Sequence, residues 1–267
     1  MQTLAVSIIQ SALFWEDKSR NLAMLEQKIM AITEKTNLVV LPEMFSTGFS
    51  MKPALLAETM EGETIAWMKR IAISKKIILT GSIIIEEGGK YFNRLIWMLP
   101  NGTWGSYDKR HLFAFAGEDK HYTAGKKRLV TSVNGWRVHL QICYDLRFPV
   151  WARQQSDETP EYDLLIYVAN WPERRNHAWK TLLAARAIEN QCYVIGVNRV
   201  GEDGNQIAHS GDSMIIDPLG TVLFSKEKEE VVHSIALTKE SLNETRSKFP
   251  FWKDADLFHI LQDEAND

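Results

Sequence analysis

Apolar and polar positions alternate with a period of two along some stretches of this chain and with the helical period along others, and the switches mark its elements. Residues 4–10 read as a strand. Residues 19–36 read as a helix with Leu22, Leu25, Ile29 and Ile32 on one face. A short β-branched run at 37–41 ends at Pro42, which places Glu43 just past the carboxyl end of a strand. Residues 62–75 give a second helix, with Ile65, Met68, Ile71 and Ala72 inward. Strands are predicted at 77–85, 91–99 and 104–108, with Gly88-Gly89 and Asn101-Gly102 as turns. Residues 128–133 and 136–143 flank another Asn-Gly turn, a hairpin signal. A helix is expected near Pro149, a strand at 163–169, a helix at 175–190 with Trp179, Leu182, Leu183 and Ile188 inward, and a strand at 191–198. Three shorter strands fall between residues 206 and 235. Gly81-Ser82 and Ser210-Gly211-Asp212-Ser213 read as ordinary turns.

Strands alternate with helices in both halves, and no repeat or linker interrupts them. The expectation is one α/β domain over residues 1–267 with a mixed sheet. The tail from about 240, carrying Phe249-Pro250-Phe251-Trp252 and an acidic end, reads as an arm laid on a surface.

Composition narrows the classes. With 45% hydrophobic and 24% charged residues the chain is ordinary for a globular protein. Its net charge of −3, from 31 basic and 34 acidic residues well mixed, argues against a nucleic-acid partner. No apolar run approaches the roughly 18 residues of a membrane span. Two cysteines, Cys143 and Cys192, make no disulfide framework, and the expected setting is a reducing cytoplasm. None of the seven histidines stands at a metal-ligand spacing, so neither metal nor cofactor is expected.

Three positions carry candidate chemistry: Glu43, Lys109 and Cys143. Each sits at a strand end, where α/β proteins place their sites. Cys143 lies between a strand and a helix start, where helix-terminal N–H groups favour a thiolate. Each also has a plain alternative: a turn carboxylate, a surface charge, a core thiol. The aperiodic stretch 109–125 is a long loop of the kind that is often functional. Asp145 fits a helix cap and Arg147 a partner for a buried carboxylate. Cys192 reads as core. A papain-like pairing of Cys143 with a histidine is a further alternative, which leaves Glu43 and Lys109 unexplained. His111 is the histidine expected nearest the site.

The runs Val39-Val40-Leu41-Pro42-Glu43-Met44-Phe45, Tyr107-Asp108-Lys109-Arg110-His111-Leu112-Phe113 and Ile142-Cys143-Tyr144-Asp145-Leu146-Arg147-Phe148-Pro149, in this order, resemble the nitrilase superfamily of carbon–nitrogen hydrolases. The resemblance extends over nearly the whole chain. It implies a four-layer α-β-β-α sandwich, pairing of subunits into a homodimer or higher homo-oligomer, and a catalytic set: Glu43 as general base, Lys109 for the oxyanion, Cys143 as nucleophile. Glu118 matches a second glutamate of many members. Val150 stands where many members carry glutamate. The segments 109–113, 116–125 and 170–175, with Trp179, look like the bacterial omega-amidase branch, which acts on the terminal amide of 2-oxo acids such as 2-oxoglutaramate and 2-oxosuccinamate.

The residue types suit that chemistry. A free thiol with pKa about 8.5 is only a few per cent thiolate at neutral pH, so full activation is worth roughly 2 kcal/mol. One preorganised oxyanion donor is worth about 3 kcal/mol. Lys109 and the backbone N–H of Tyr144 are the expected donors. A carboxylate on the acyl group calls for a guanidinium, and Arg174 and Arg175 are the candidates. Phe115, Tyr122 and Trp171 are expected to close the pocket. The alternatives are an amidase or N-carbamoyl hydrolase with another acyl group, and a non-catalytic binding member of the fold.

Overall fold

Successive residues of the first strand face two different cores. In β1 (Thr3–Gln10), Leu4, Val6 and Ile8 point into the larger core, while Ile9 points into the smaller. The same alternation recurs in β2 (Leu38–Val40). A strand apolar on both faces must be covered on both faces, and this requirement sets the layering. The computed structural model describes residues 2–154 and 158–261.

The smaller core lies under α1 (Lys18–Met30) and α3 (Glu63–Lys75), through Leu22, Leu25 and Ile29 of the first and Ile65, Met68 and Ile71 of the second. Between them, after β2, comes the single turn α2 (Pro53–Leu56). β3 (Ile78–Glu87), β4 (Lys90–Met98) and β5 (Trp104–Asp108) complete a sheet with β13 (Val231–Thr238), in the order β13-β1-β2-β3-β4-β5. The second sheet holds β6 (Val130–Val133), β7 (Trp136–Ile142), β8 (Leu164–Ala169), β9 (Tyr193–Asn198), β10 (Val200–Glu202) and β11 (Ala208–Ile216). Its order is β10-β11-β9-β8-β7-β6, with β12 (Val222–Glu227) on β11. β1 lies against β9 and β4 against β7, so the sheets stack face to face. The α5 helix (Asn176–Asn190) packs on the second sheet. A Cβ on Gly196 of β9 would come within 2.5 Å of Leu183 and 2.7 Å of Trp179. The architecture is the expected four-layer α-β-β-α sandwich.

Strands β1, β2 and β3 run parallel, as do β7, β8 and β9. Glu43, Cys143 and Asn170 each follow the carboxyl end of one of these strands.

Several boundaries differ from the pattern. The first helix stops at Met30, not at 36, although Ile32 is buried. The β-branched Ile32, Thr33 and Thr36 disfavour helix there, and the Thr36 hydroxyl donates to the carbonyl of Leu38. The helix at Pro149 is one turn, α4 (Pro149–Ala152). Ile188 is exposed rather than inward. Gly81-Ser82 and residues 210–213 are strand, in β3 and β11, not turns.

The tail begins as a helix, α6 (Lys239–Lys248), held as much by charge as by apolar contact. Asp163 is buried and accepts from Lys239 Nζ at 2.6 Å, Arg246 Nη1 at 2.9 Å and the Arg137 N–H at 2.9 Å. The acidic end expected at 262–267 lies outside the described residues. Burial alone would raise the Asp163 pKa; Lys239, the Arg137 amide and Arg246 together hold it below the usual carboxylate value. Its stabilising contribution is therefore present above the unfolded pKa of about 3.9 and is lost as pH falls through the lower folded value. Asp163→Ala leaves the buried Arg246 and the half-buried Lys239 each short of a partner. We expect a loss of about 3–5 kcal/mol at neutral pH. Urea titration of both proteins checks this, and the gap between them should narrow below about pH 4.

Candidate active site

Cys143 is the first residue after β7 and opens a 3₁₀ turn, Cys143–Arg147, with φ of +45°. Left-handed backbone at a non-glycine residue costs on the order of 1–3 kcal/mol and persists only where neighbours enforce it. Asp145 is the enforcer. Its Oδ2 accepts the Ile142 N–H at 3.0 Å and the Tyr107 hydroxyl at 2.7 Å. Its Oδ1 takes the His111 N–H at 2.9 Å and lies 2.8 Å from His111 Nδ1. The cap expected of Asp145 thus also ties the loop to the elbow. His111 stacks on Phe148.

Glu43 is reached by a turn pinned to β3, where the N–H of Met44 donates to Ser82 Oγ at 2.8 Å. Lys109 follows β5 and donates its backbone N–H to the Asn93 carbonyl at 3.0 Å. Gly125 closes the loop by donating to the Lys109 carbonyl at 2.9 Å. A Cβ there would sit 2.1 Å from the Asp108 carbonyl oxygen, so the loop end requires glycine.

The three charged groups meet in a dry cluster. Lys109 Nζ lies 2.9 Å from Glu43 Oε1, and 3.1 and 2.9 Å from the two Glu118 oxygens, with all three side chains buried. Glu118 Oε2 also accepts the Phe113 N–H at 2.6 Å. Glu43 Oε2 accepts the backbone N–H of Asn170 at 2.8 Å, and its carbonyl takes Asn170 Nδ2 at 2.6 Å. Asn93 Nδ2 reaches both carboxylates, Glu43 at 2.8 Å and Glu118 at 3.3 Å.

Cys143 lines a cavity of about 520 Å³, together with Tyr144, Phe115, Trp171, Arg174 and Arg175. Every residue expected to bind substrate is on that wall. Arg147 is there too, and this corrects its reading. Among the described residues it meets no buried carboxylate, and it lies over the Trp171 ring, 5.1 Å from the centroid. Arg175 lies 4.9 Å over the Phe113 ring. Trp171 is fixed from behind: Asn198 accepts its N–H at 2.7 Å and donates to its carbonyl at 3.0 Å. Phe115 stands largely in solvent at the mouth. Tyr122 is buried and donates to the Ser50 carbonyl, off the cavity wall. Among the described residues no cluster of His, Cys, Asp or Glu could hold a metal.

The carbon-nitrogen hydrolase family matches residues 5–247, nearly the whole chain. The chain belongs to this family. It is 44% identical over 262 residues to the omega-amidase YafV of Yersinia enterocolitica, covering 98% of this chain and all of that one. It is 30% identical over 253 residues to the 2-oxoglutaramate amidase of Bacillus subtilis, covering 93% and 96%. The solved structure of the CN-hydrolase superfamily protein XC1258 from Xanthomonas campestris superposes with a TM-score of 0.95 at 42% identity, covering 97% and all of the two chains.

The electrostatics of this carbon-nitrogen hydrolase depart from one expectation. The Cys143 thiol is pushed well up, by burial first and then by Glu43 and Glu118, with Lys109 opposing. Burial and the two carboxylates thus favour the protonated thiol, against the thiolate expected at a helix start. Burial would lower the Lys109 pKa, but Glu118 and Glu43 outweigh it and keep the ammonium charged. Burial and Glu43 raise Glu118 against the pull of Lys109. Two residues of the site escaped sequence reasoning, Asn93 and Asn170, and Arg147 was given only a structural role there. Asn93 had a signal, a polar amide inside a strand pattern, where asparagine is depleted.

Proposed function

We propose that the protein hydrolyses the terminal amide of a small 2-oxo dicarboxylic acid monoamide, 2-oxoglutaramate or 2-oxosuccinamate, through a thioester on Cys143. One observation carries the reading: Cys143 shares its cavity with three guanidinium groups, those of Arg147, Arg174 and Arg175. An acyl group with a carboxylate is what such a wall selects. The names of the relatives agree.

Glu43 takes the thiol proton as Sγ attacks the amide carbonyl. The oxyanion meets the Lys109 ammonium and the Tyr144 N–H. The tetrahedral intermediate collapses, the C–N bond breaks, and the proton on Glu43 leaves with ammonia. Water then gives a proton to Glu43 and attacks the thioester, releasing the acid and restoring the thiol. Glu118 orients Lys109. In the empty site the three ammonium protons face three carboxylate oxygens, so Lys109 must loosen one contact to serve the oxyanion. The same reading sets the enzyme in the cytoplasm, which suits its two free cysteines, and as a homo-oligomer, which suits exposed Val150, Ile188 and Leu257.

The test is a pair of substrates. Arg147→Ala, Arg174→Ala and Arg175→Ala are each assayed on 2-oxosuccinamate and on a neutral amide of similar length. Loss of a bidentate contact should lower kcat/KM for the charged amide by roughly 10- to 150-fold, about 1.5–3 kcal/mol, with a much smaller effect on the neutral one. If no variant separates the two amides, the carboxylate is not read by these arginines. A wild-type preference for the neutral amide would remove the 2-oxo acid assignment.

A further inference from the structure

We propose that Asn93 is a positioning residue of the reaction: its side-chain amide is the shared neutral donor that keeps Glu43 and Glu118 side by side around Lys109. The proposal rests on the reading of Glu43 as the base. Asn93 sits inside β4, fully buried, and touches all three charged residues. Its Nδ2 faces Glu43 Oε1 at 2.8 Å and Glu118 Oε1 at 3.3 Å, and its backbone carbonyl takes the Lys109 N–H at 3.0 Å.

Two carboxylates here face one ammonium. A further cation between them would hold the base too tightly to accept a proton. An apolar side chain would leave two carboxylate oxygens short of a donor in a dry site. A primary amide donates without adding charge. Its other end makes no such contact: Asn93 Oδ1 is buried and, among the described residues, has no hydrogen-bond partner. Such an acceptor is unfavourable wherever it occurs. Turning the amide over would set that oxygen against both carboxylates, so the orientation is fixed by the charges. The fold keeps an orphaned oxygen in order to hold the donor.

The decisive variant is Asn93→Asp, which keeps the shape and makes the donor titratable. Protonated, the new carboxyl donates one hydrogen bond; ionised, it sets a third negative charge against two. The ratio of kcat/KM, variant over wild type, should rise at least about 10-fold as pH falls from about 8.5 to 5.5, because protonation restores the donor. A packing role predicts a flat ratio, and a flat ratio overturns the proposal. Asn93→Leu removes the donor at every pH. Its kcat should fall about 100-fold with KM within about threefold, since the base and not the substrate wall is disturbed. Circular dichroism reports whether that variant is folded; if it is not, the pH ratio of Asn93→Asp decides. A folded Asn93→Leu with kcat within about threefold of wild type also overturns the proposal. Glu43→Gln separates the two readings. If it is inactive while the Asn93→Asp ratio is flat, only the role of Asn93 falls; if it turns over normally, the assignment of the base falls first.

Discussion

Cys143→Ala is expected to abolish ammonia release, by a factor on the order of 10⁴ or more, with the fold intact. The other cysteine cannot substitute. Cys192 is buried just before β9, is held near the Arg186 carbonyl, and does not line the cavity. Cys143→Ser should be nearly as inactive. The thiol is already hard to ionise in the empty site, and a hydroxyl is much harder for the same base to deprotonate. A third variant separates chemistry from folding. Glycine accepts a φ of +45° without strain, so Cys143→Gly should melt no lower than wild type and still be inactive. Thermal melts and an ammonia assay on all three variants check these outcomes. Substantial turnover by Cys143→Ala would end the assignment of the nucleophile.

Burial and the neighbouring carboxylates both favour the protonated form of Cys143. Its proton has a carboxylate to go to, but burial and two negative charges oppose leaving a thiolate behind. Transfer is therefore favoured when charge can move on at once to the carbonyl oxygen of a bound amide. On the proposed mechanism, bond formation and proton transfer are therefore coupled.

Much of this was legible before any coordinates. Alternation at 4–10 and 37–41 placed two strands, and the strand ends placed Glu43 and Cys143. What sequence reasoning missed has identifiable causes. The α6 helix has one fully buried apolar residue, Leu242, so no periodic stripe announced it; it docks through Arg246 and Lys239 on Asp163, and partners so distant in sequence leave no local pattern. Arg147 reads from sequence as a partner for a buried carboxylate, whereas it is exposed and lies over an aromatic ring at the cavity. The thiol was expected to be activated by the helix start, because strand–turn–helix elbows often work that way. Burial, and then the carboxylates around it, push the thiol the other way, and both are tertiary facts. Asn170 acts mainly through its backbone N–H, for which no side chain gives notice.

Glu43→Gln is expected to be the most damaging single change after loss of the thiol, because on the proposed mechanism one carboxylate serves both halves of the cycle. An amide cannot accept the thiol proton, so acylation by an amide substrate stops; it cannot take a proton from water, so a thioester formed by other means would persist. General-base loss alone is worth roughly 10²- to 10⁴-fold for each step. Geometry adds a second penalty. Glu43 Oε1 already takes donors from Lys109 and Asn93, and Oε2 takes the Asn170 N–H. Whichever way a glutamine side chain turns, its NH₂ meets a donor, and Lys109 loses one of its two counter-charges. The variant should therefore be somewhat less stable as well as inactive. Two measurements separate these effects. Intact-mass spectrometry after mixing with the amide substrate should show no thioester. An activated ester of the same acid, whose leaving group needs no proton, still needs the thiol proton removed, so acylation should be slow, and any thioester that forms should persist. Normal single-turnover release of ammonia from a folded Glu43→Gln protein would remove Glu43 from the mechanism and leave Glu118 as the carboxylate to test next.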